Sequence, residues 1–206
     1  VHLTTSGNCH MVGATDQDAI ALARQALSYL PSNNVDMPPV HPSADAPTRR
    51  AEELNELVPA DPSLPYSMRS AIDAIMDQGS FLELQAGYAP NAIVGLARLA
   101  GRPVGVISQE PMMMAGVMDI NSADKIARTV RLCDAFNLPI VTFVDSPGFL
   151  PGVAQEYGGI IRHGAKVLYA YAEATSPKVS VVTRKAYGGA YVVMSSKYLG
   201  TDITYA

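Results

Sequence analysis

Apolar and polar positions fall into alternating helical and strand-like blocks along this chain. Thr15 or Asp16 suits a helix cap, and Ile20, Ala23, Leu27 and Leu30 recur at helical spacing, predicting a helix that Pro31 ends. Residues 31–65 lose that order and hold eight of the fifteen prolines. They predict an extended polar linker with one short helical stretch after Thr48 (RRAEELNELV). Ser67 then caps a helix with Met68, Ile72, Ile75 and Met76 facing inward and Gly79 closing it. Strand-like runs follow at 81–85, 93–100 and 103–108, the last two joined as a hairpin at Gly101-Arg102. Ser122 is placed to cap a helix over 123–136, and the continuous apolar run at 139–144 predicts a strand covered on both faces. A helix over about 158–174 carries Ile160, Ile161, Ala165 and Leu168 on one stripe. The run 179–183 predicts a buried strand that ends at Arg184-Lys185, turns through Gly188-Gly189 and re-enters a helix at Ala190. This is α/β order with short crossovers.

Composition narrows the picture without redrawing it. Of 206 residues, 48% are apolar and the net charge is −4, enough for one ordinary core or two small ones. Mild acidity without a basic run argues against a nucleic-acid protein. Cys9 and Cys133 make neither a disulfide framework nor a metal-ligand spacing, and read as thiols in a reducing compartment. No apolar run approaches the roughly 18–20 residues of a membrane span. The chain begins without Met, a basic n-region or an apolar h-region, so no signal peptide is expected, and it reads as a piece of a longer protein. Met112, Met113 and Met114 suit a core edge better than an adaptable pocket lining.

Two glycine-rich loops, at 145–152 and 186–191, leave the C-terminal ends of neighbouring predicted strands, where α/β sheets bind ligands. Each offers main-chain N–H groups with no Cβ in the way, suited to an oxygen gaining negative charge. The plainer alternative is a pair of turns made for chain reversal. No Ser–His–Asp set assembles; His163 reads as structural or N–H-donating rather than as a general base. A phosphate-binding GxxxxGK[ST] loop is absent, so the DSPG stretch at 145–148 does not read as a GTPase loop. Donors without a base suggest that the base belongs to a cofactor or to a segment outside this sequence.

The stretches DINS at 119–122, CDAFN at 133–137, FVDSPGFLPG at 143–152, QEYGGIIRHGAK at 155–166 and RKAYGGAY at 184–191 together resemble the acyl-CoA carboxyltransferase family, which includes propionyl-CoA carboxylase β subunits and the methylmalonyl-CoA carboxyltransferase. The resemblance implies a crotonase-like fold, a β-β-α spiral repeated in two similar domains. Residues 1–30 would be the tail of the N-terminal domain, 31–65 the linker, and 66–206 the first part of the C-terminal domain. It implies carboxyl transfer between carboxybiotin and the α-carbon of a short acyl-CoA. The N–H groups of Gly189 and Ala190 would hold the ureido oxygen, the biotin nitrogen would take the α-proton, and Gly148 and Phe149 would contact the carboxyl group in transit. The acyl-CoA-contacting segment falls on about 77–110; Phe81, Tyr88, Gly116 and Val192 are the candidate substrate contacts. Val192 stands where propionyl-CoA carboxylases commonly have Asp, and Gln109-Glu110-Pro111 where the family has Asn-Gln-Pro. Implied partners are a biotin carboxyl carrier or biotin carboxylase subunit and further copies of the chain, as a hexamer built from dimers. The implied location is the cytoplasm, or the mitochondrial matrix in a eukaryote.

Overall fold

The computed structural model describes residues 1–46 and 48–206. One six-stranded sheet holds its strands in chain order: β1 (Leu82–Leu84), β2 (Ala92–Leu99), β3 (Arg102–Gln109), β4 (Ile140–Ser146), β5 (Lys178–Ala186) and β6 (Ile203–Tyr205). The first three pair antiparallel, and β3 through β6 pair parallel. The expected hairpin is present one residue earlier than predicted. Its turn residues are Ala100 and Gly101, with φ of 50° and 77°, the two positive values of a loop that matches strand twist. Asp77 tightens it by accepting from Ala100 N (2.8 Å) and Gly101 N (2.7 Å).

Helices α4 (Ile120–Ala135) and α6 (Ile160–Glu173) make the crossovers into β4 and β5, and α7 (Gly188–Val193) follows β5. All three bury side chains in one core, where Ile126, Val130, Val167 and Tyr171 meet Val94, Ile107 and Ile140 of the sheet. The alternate strand residues Ile93, Val106, Val141 and Phe143 point the other way, onto Met68 and Ile72 of α3 (Met68–Ile75). Period-2 alternation thus serves two cores, which is why 139–144 reads as continuously apolar. Each strand advances one place while the crossover helices stay on one face, so the chain winds as a spiral.

Several elements differ from the sequence expectation. Helix α1 (Asp16–Leu27) starts at a Thr15–Asp18 capping box, but its predicted inner face is turned outward: Ile20 is 53% and Leu27 66% exposed. Leu22 and Ala26 meet the core instead, together with Leu30, the one predicted position that does. Helix α4 is capped by Asp119, with Ser122 at the third helical position completing the box rather than capping. The helix expected over about 158–174 is α6, and a short helix that was not expected, α5 (Val153–Gly158), precedes it across Gly159 at φ 88°. Met76 turns extended and ends α3, leaving Gly79 in a later turn. Met112, Met113 and Met114 lie at the surface, not at a core edge; positive φ at Met114 and Ala115 swings the chain outward.

The stretch predicted as a linker is strapped down rather than loose. Helix α2 (Leu54–Leu57) sets Leu54 and Leu57 on the α3-side core. Arg49 donates to Ala74 O and Met76 O, Asn137 to Asn34 O and Asp36 O, and His41 N to Gly101 O. Pro47 lies outside the described residues.

Candidate active site

The loops that follow β4 and β5 meet at one apolar cleft of about 510 Å³. Phe149 and Leu150 come from the first loop, Ile161 and Leu168 from α6, and Gly189 and Val192 from α7. The Phe149 ring is its floor. A Cβ on Gly164 would stand 2.8 Å from that ring, and one on Gly189 3.5 Å away, so two glycines on two helices make room for one aromatic side chain. At the head of α7, Tyr191 N is the first amide to bond back, to Tyr187 O (3.4 Å). The N–H groups of Gly188, Gly189 and Ala190 therefore enter the helix without a main-chain acceptor. Glu156 is the one titratable side chain lining the cleft among the described residues. The site offers main-chain donors against an apolar wall and little else.

Three of the expected residues, Phe149, Gly189 and Val192, thus line the cleft, and Ala190, wholly buried, follows Gly189 in α7. Gly148 is adjacent. Its carbonyl accepts from Met118 N (3.0 Å), while Leu150 N donates to Met118 O (2.8 Å), so the loop is laced to 117–119. Buried Asn91 holds that lacing strand, donating to Val117 O (2.8 Å) and Asp119 Oδ1 (3.1 Å). Gly116 lies behind the loop, where a Cβ would stand 2.4 Å from Asp145 O; its φ of 75° and this close approach account for the glycine. Phe81 sits against Gly95 with the α3-side core, and the Tyr88 ring covers Gly7. Neither lines the cleft. His163 turns away toward α4, where its Nδ1 meets the Asp124 carboxylate at 2.9 Å and Lys166 completes the cluster.

Sequence reasoning passed over the residues that hold the loops. The Asp145 carboxylate is wholly buried; Oδ1 accepts from Lys185 N and Oδ2 from Arg184 Nε, both at 3.1 Å. Thr183 donates to Val144 O (3.1 Å), which leaves Tyr66 as donor to Thr183 Oγ1 (2.8 Å). Burial pushes the Tyr66 phenol well above its ordinary pKa, against the Thr183 hydrogen bond, so it keeps the proton it donates. Lys125 is also buried, its ammonium donating to the carbonyls of Gln85, Tyr88, Ala89 and Ala92 at 2.7–3.3 Å. Lysine is almost never fully buried unless paired, and here the chain entering β2 supplies the acceptors.

A strand-helix spiral with glycine loops at the strand ends defines a crotonase-like protein, and comparison with known proteins sharpens the class. The carboxyl transferase domain matches residues 1–206, and the chain belongs to that family. It is 52% identical to the methylmalonyl-CoA decarboxylase subunit alpha of Veillonella parvula, over all of this chain and 40% of that one. It is 53% identical to the mitochondrial propionyl-CoA carboxylase beta chain of Homo sapiens, over 100% of this chain and 38% of the relative. The crystal structure of transcarboxylase 12S, a hexamer described with hydrolysed methylmalonyl-coenzyme A bound, superposes with a TM-score of 0.97 at 49% identity, over 100% of this chain and 40% of that one. The chain spans about 40% of the length of these relatives. No helix among the described residues is long and apolar enough to cross a membrane.

Proposed function

We propose that this chain is the central part of a carboxyltransferase subunit that moves a carboxyl group between carboxybiotin and the α-carbon of a short acyl-CoA, with propionyl-CoA and methylmalonyl-CoA as the favoured pair. Residues 1–30 end its first domain and 66–206 begin its second. The observation that carries this reading is the apolar cleft, lined by Phe149, Gly189 and Val192 and by no histidine or lysine, beside a helix head whose N–H groups at Gly188, Gly189 and Ala190 have no main-chain acceptor. A bicyclic urea with an aliphatic tail fits such a lining, since its strong acceptor oxygen suits free N–H donors while its thioether ring and tail suit an apolar wall. Carboxybiotin, when bound, supplies the carboxyl group and the ring nitrogen that receives the substrate's α-proton.

The chain's own part is then to bind, orient and stabilise charge. The N–H groups of Gly189 and Ala190 would hold the ureido oxygen, and losing one such donor would cost about 2.7–4 kcal/mol, roughly 10²–10³ in rate. Phe149 excludes water from beneath the transfer site, and Gly148 leaves the loop backbone open to the carboxyl group. Val192 gives the acyl end an apolar contact in place of an acidic one. Phe81, Tyr88 and Gly116, which do not line the cleft, are the remaining candidate contacts of the acyl-CoA. The partners are a biotin carrier and further copies of the subunit, in the cytoplasm or the matrix.

Decarboxylation of methylmalonyl-CoA by the full-length subunit, with and without free biotin, tests the reading. Biotin-dependent turnover is expected. Turnover indifferent to biotin would make it a crotonase-type acyl-CoA enzyme of another kind, and no turnover with methylmalonyl- or malonyl-CoA would leave a scaffold.

A further inference from the structure

Strands β4 and β5 run in step from Ile140↔Lys178 to Val144↔Val182, and the next pair is Ser146↔Ala186. Between those pairs β4 spends one residue, Asp145, while β5 spends three: Thr183, Arg184 and Lys185. Bulges of this kind bend a strand and re-aim the residues beyond the bend, and they cost ladder hydrogen bonds. Here one side chain replaces the missing acceptors. Asp145 Oδ1 takes Lys185 N and Oδ2 takes Arg184 Nε, each at 3.1 Å, while Asp145 N donates to Gln109 Oε1 (3.3 Å). Beyond the bulge the ladder resumes, with Tyr187 N donating to Ser146 O (3.3 Å).

The bulge is locked from outside as well. Arg184 spans it to the strap, donating to Leu64 O (2.7 Å) and Asp61 O (3.2 Å), with its guanidinium 4.9 Å from the centre of the Tyr66 ring. Asp145 precedes Gly148-Phe149 by three residues, and Lys185 precedes Gly189 by four. One carboxylate therefore ties the roots of both loops that form the cleft. With 0% of its surface exposed it touches no substrate, and an ion pair so largely buried, with Arg184 only 11% exposed, is weak as a stabilising device, because desolvation offsets the attraction. Its geometry suits registry better.

We propose that Asp145 is a positioning residue: its carboxylate sets the β4–β5 bulge and so fixes the spacing between the Gly189-Ala190 donors and the Gly148-Phe149 loop. The proposal rests on the carboxyltransferase reading for its effect on rate, but not for its effect on the loop.

The test uses the full-length subunit with Asp145→Asn, which keeps an acceptor for Lys185 N and removes the anion, and with the neutral pair Asp145→Asn/Arg184→Gln, which strands no charge. Both should lower kcat for biotin-dependent methylmalonyl-CoA decarboxylation by about 5- to 50-fold, as misplaced donors do, with KM for the acyl-CoA within about 2-fold of wild type. Amide exchange over 185–187 should quicken in both while 140–144 stays protected. A purely structural role would lower the unfolding midpoint and leave kcat per folded site unchanged, and that result overturns the proposal. A neutral pair with wild-type kcat and wild-type exchange overturns it too. If wild type shows no biotin-dependent turnover, the carboxyltransferase reading fails, and exchange over 185–187 alone decides whether Asp145 sets the loop.

Discussion

Gly164→Ala is the substitution whose outcome is tied most directly to the cleft. Gly164 is buried inside α6, where glycine costs a helix about 0.5–1 kcal/mol relative to alanine. Propensity alone therefore predicts that the variant is more stable. Against it, the new Cβ would lie 2.8 Å from Cε1 and Cζ of Phe149, when carbon atoms rest at about 3.5–4.0 Å, so the ring must retreat by about 1 Å. In a closed core such overpacking costs about 1–3 kcal/mol. Phe149 is only half-buried and borders an open cleft, so it has somewhere to go, and the two effects nearly cancel. The expected change in stability is within about 1 kcal/mol of zero. Activity has no such compensation: a 1 Å displacement of the cleft floor costs up to about 10²-fold in rate. Thermal unfolding and biotin-dependent methylmalonyl-CoA decarboxylation, both on the full-length subunit, separate the two. The expected pattern is a nearly unchanged midpoint with kcat down about 10- to 100-fold, partly restored by adding Phe149→Leu. A fallen midpoint with wild-type kcat would overturn this account, since it would mean that the ring does not yield or does not matter.

Two further predictions concern the scaffold. Burial pushes the Lys125 ammonium from the ordinary 10.5 down to about 8, with Glu83 opposing the shift. Below pH 8 the folded and unfolded chains both hold that proton. Between pH 8 and 10.5 only the unfolded chain holds it, so the stability contributed by this group rises with pH, by about 3 kcal/mol across the window. The urea midpoint of Lys125→Met should therefore fall behind wild type from pH 8 to 10.5; a constant gap would show that the buried amine does not titrate there. Gly101→Ala places a Cβ 1.7 Å from His41 O at a φ of 77°, and should release the strap around His41 at a cost of about 1–3 kcal/mol. Limited proteolysis should then cut near His41 well before the sheet, and an unchanged cleavage pattern would argue that the strap is held elsewhere.

Local chemistry determined much of this protein. Short apolar, β-branched runs located β2 to β5, helical spacing and polar caps located α1, α3, α4 and α6 to within a few residues, and glycines marked both loops of the cleft. These signals are short-range, because a cap, a turn or an amphipathic stripe is satisfied within a few residues of itself. The family resemblance added the reaction that such loops would serve. Tertiary structure decided what depends on partners distant in the chain. Ile20 and Leu27 have core-like spacing yet face outward, because the sheet offers its core to Leu22 and Ala26 instead. Lys125 reads as a surface lysine and is buried, since four carbonyls from more than thirty residues upstream replace its water. Asp145 looked like part of a glycine loop, but its charge is spent on a bulge 39 residues further on. Gly164 showed nothing in sequence, being defined by a ring fifteen residues earlier that returns to it only through the fold. Which apolar face is buried, and which polar group finds a partner, is settled by long-range closure, and no local pattern encodes it.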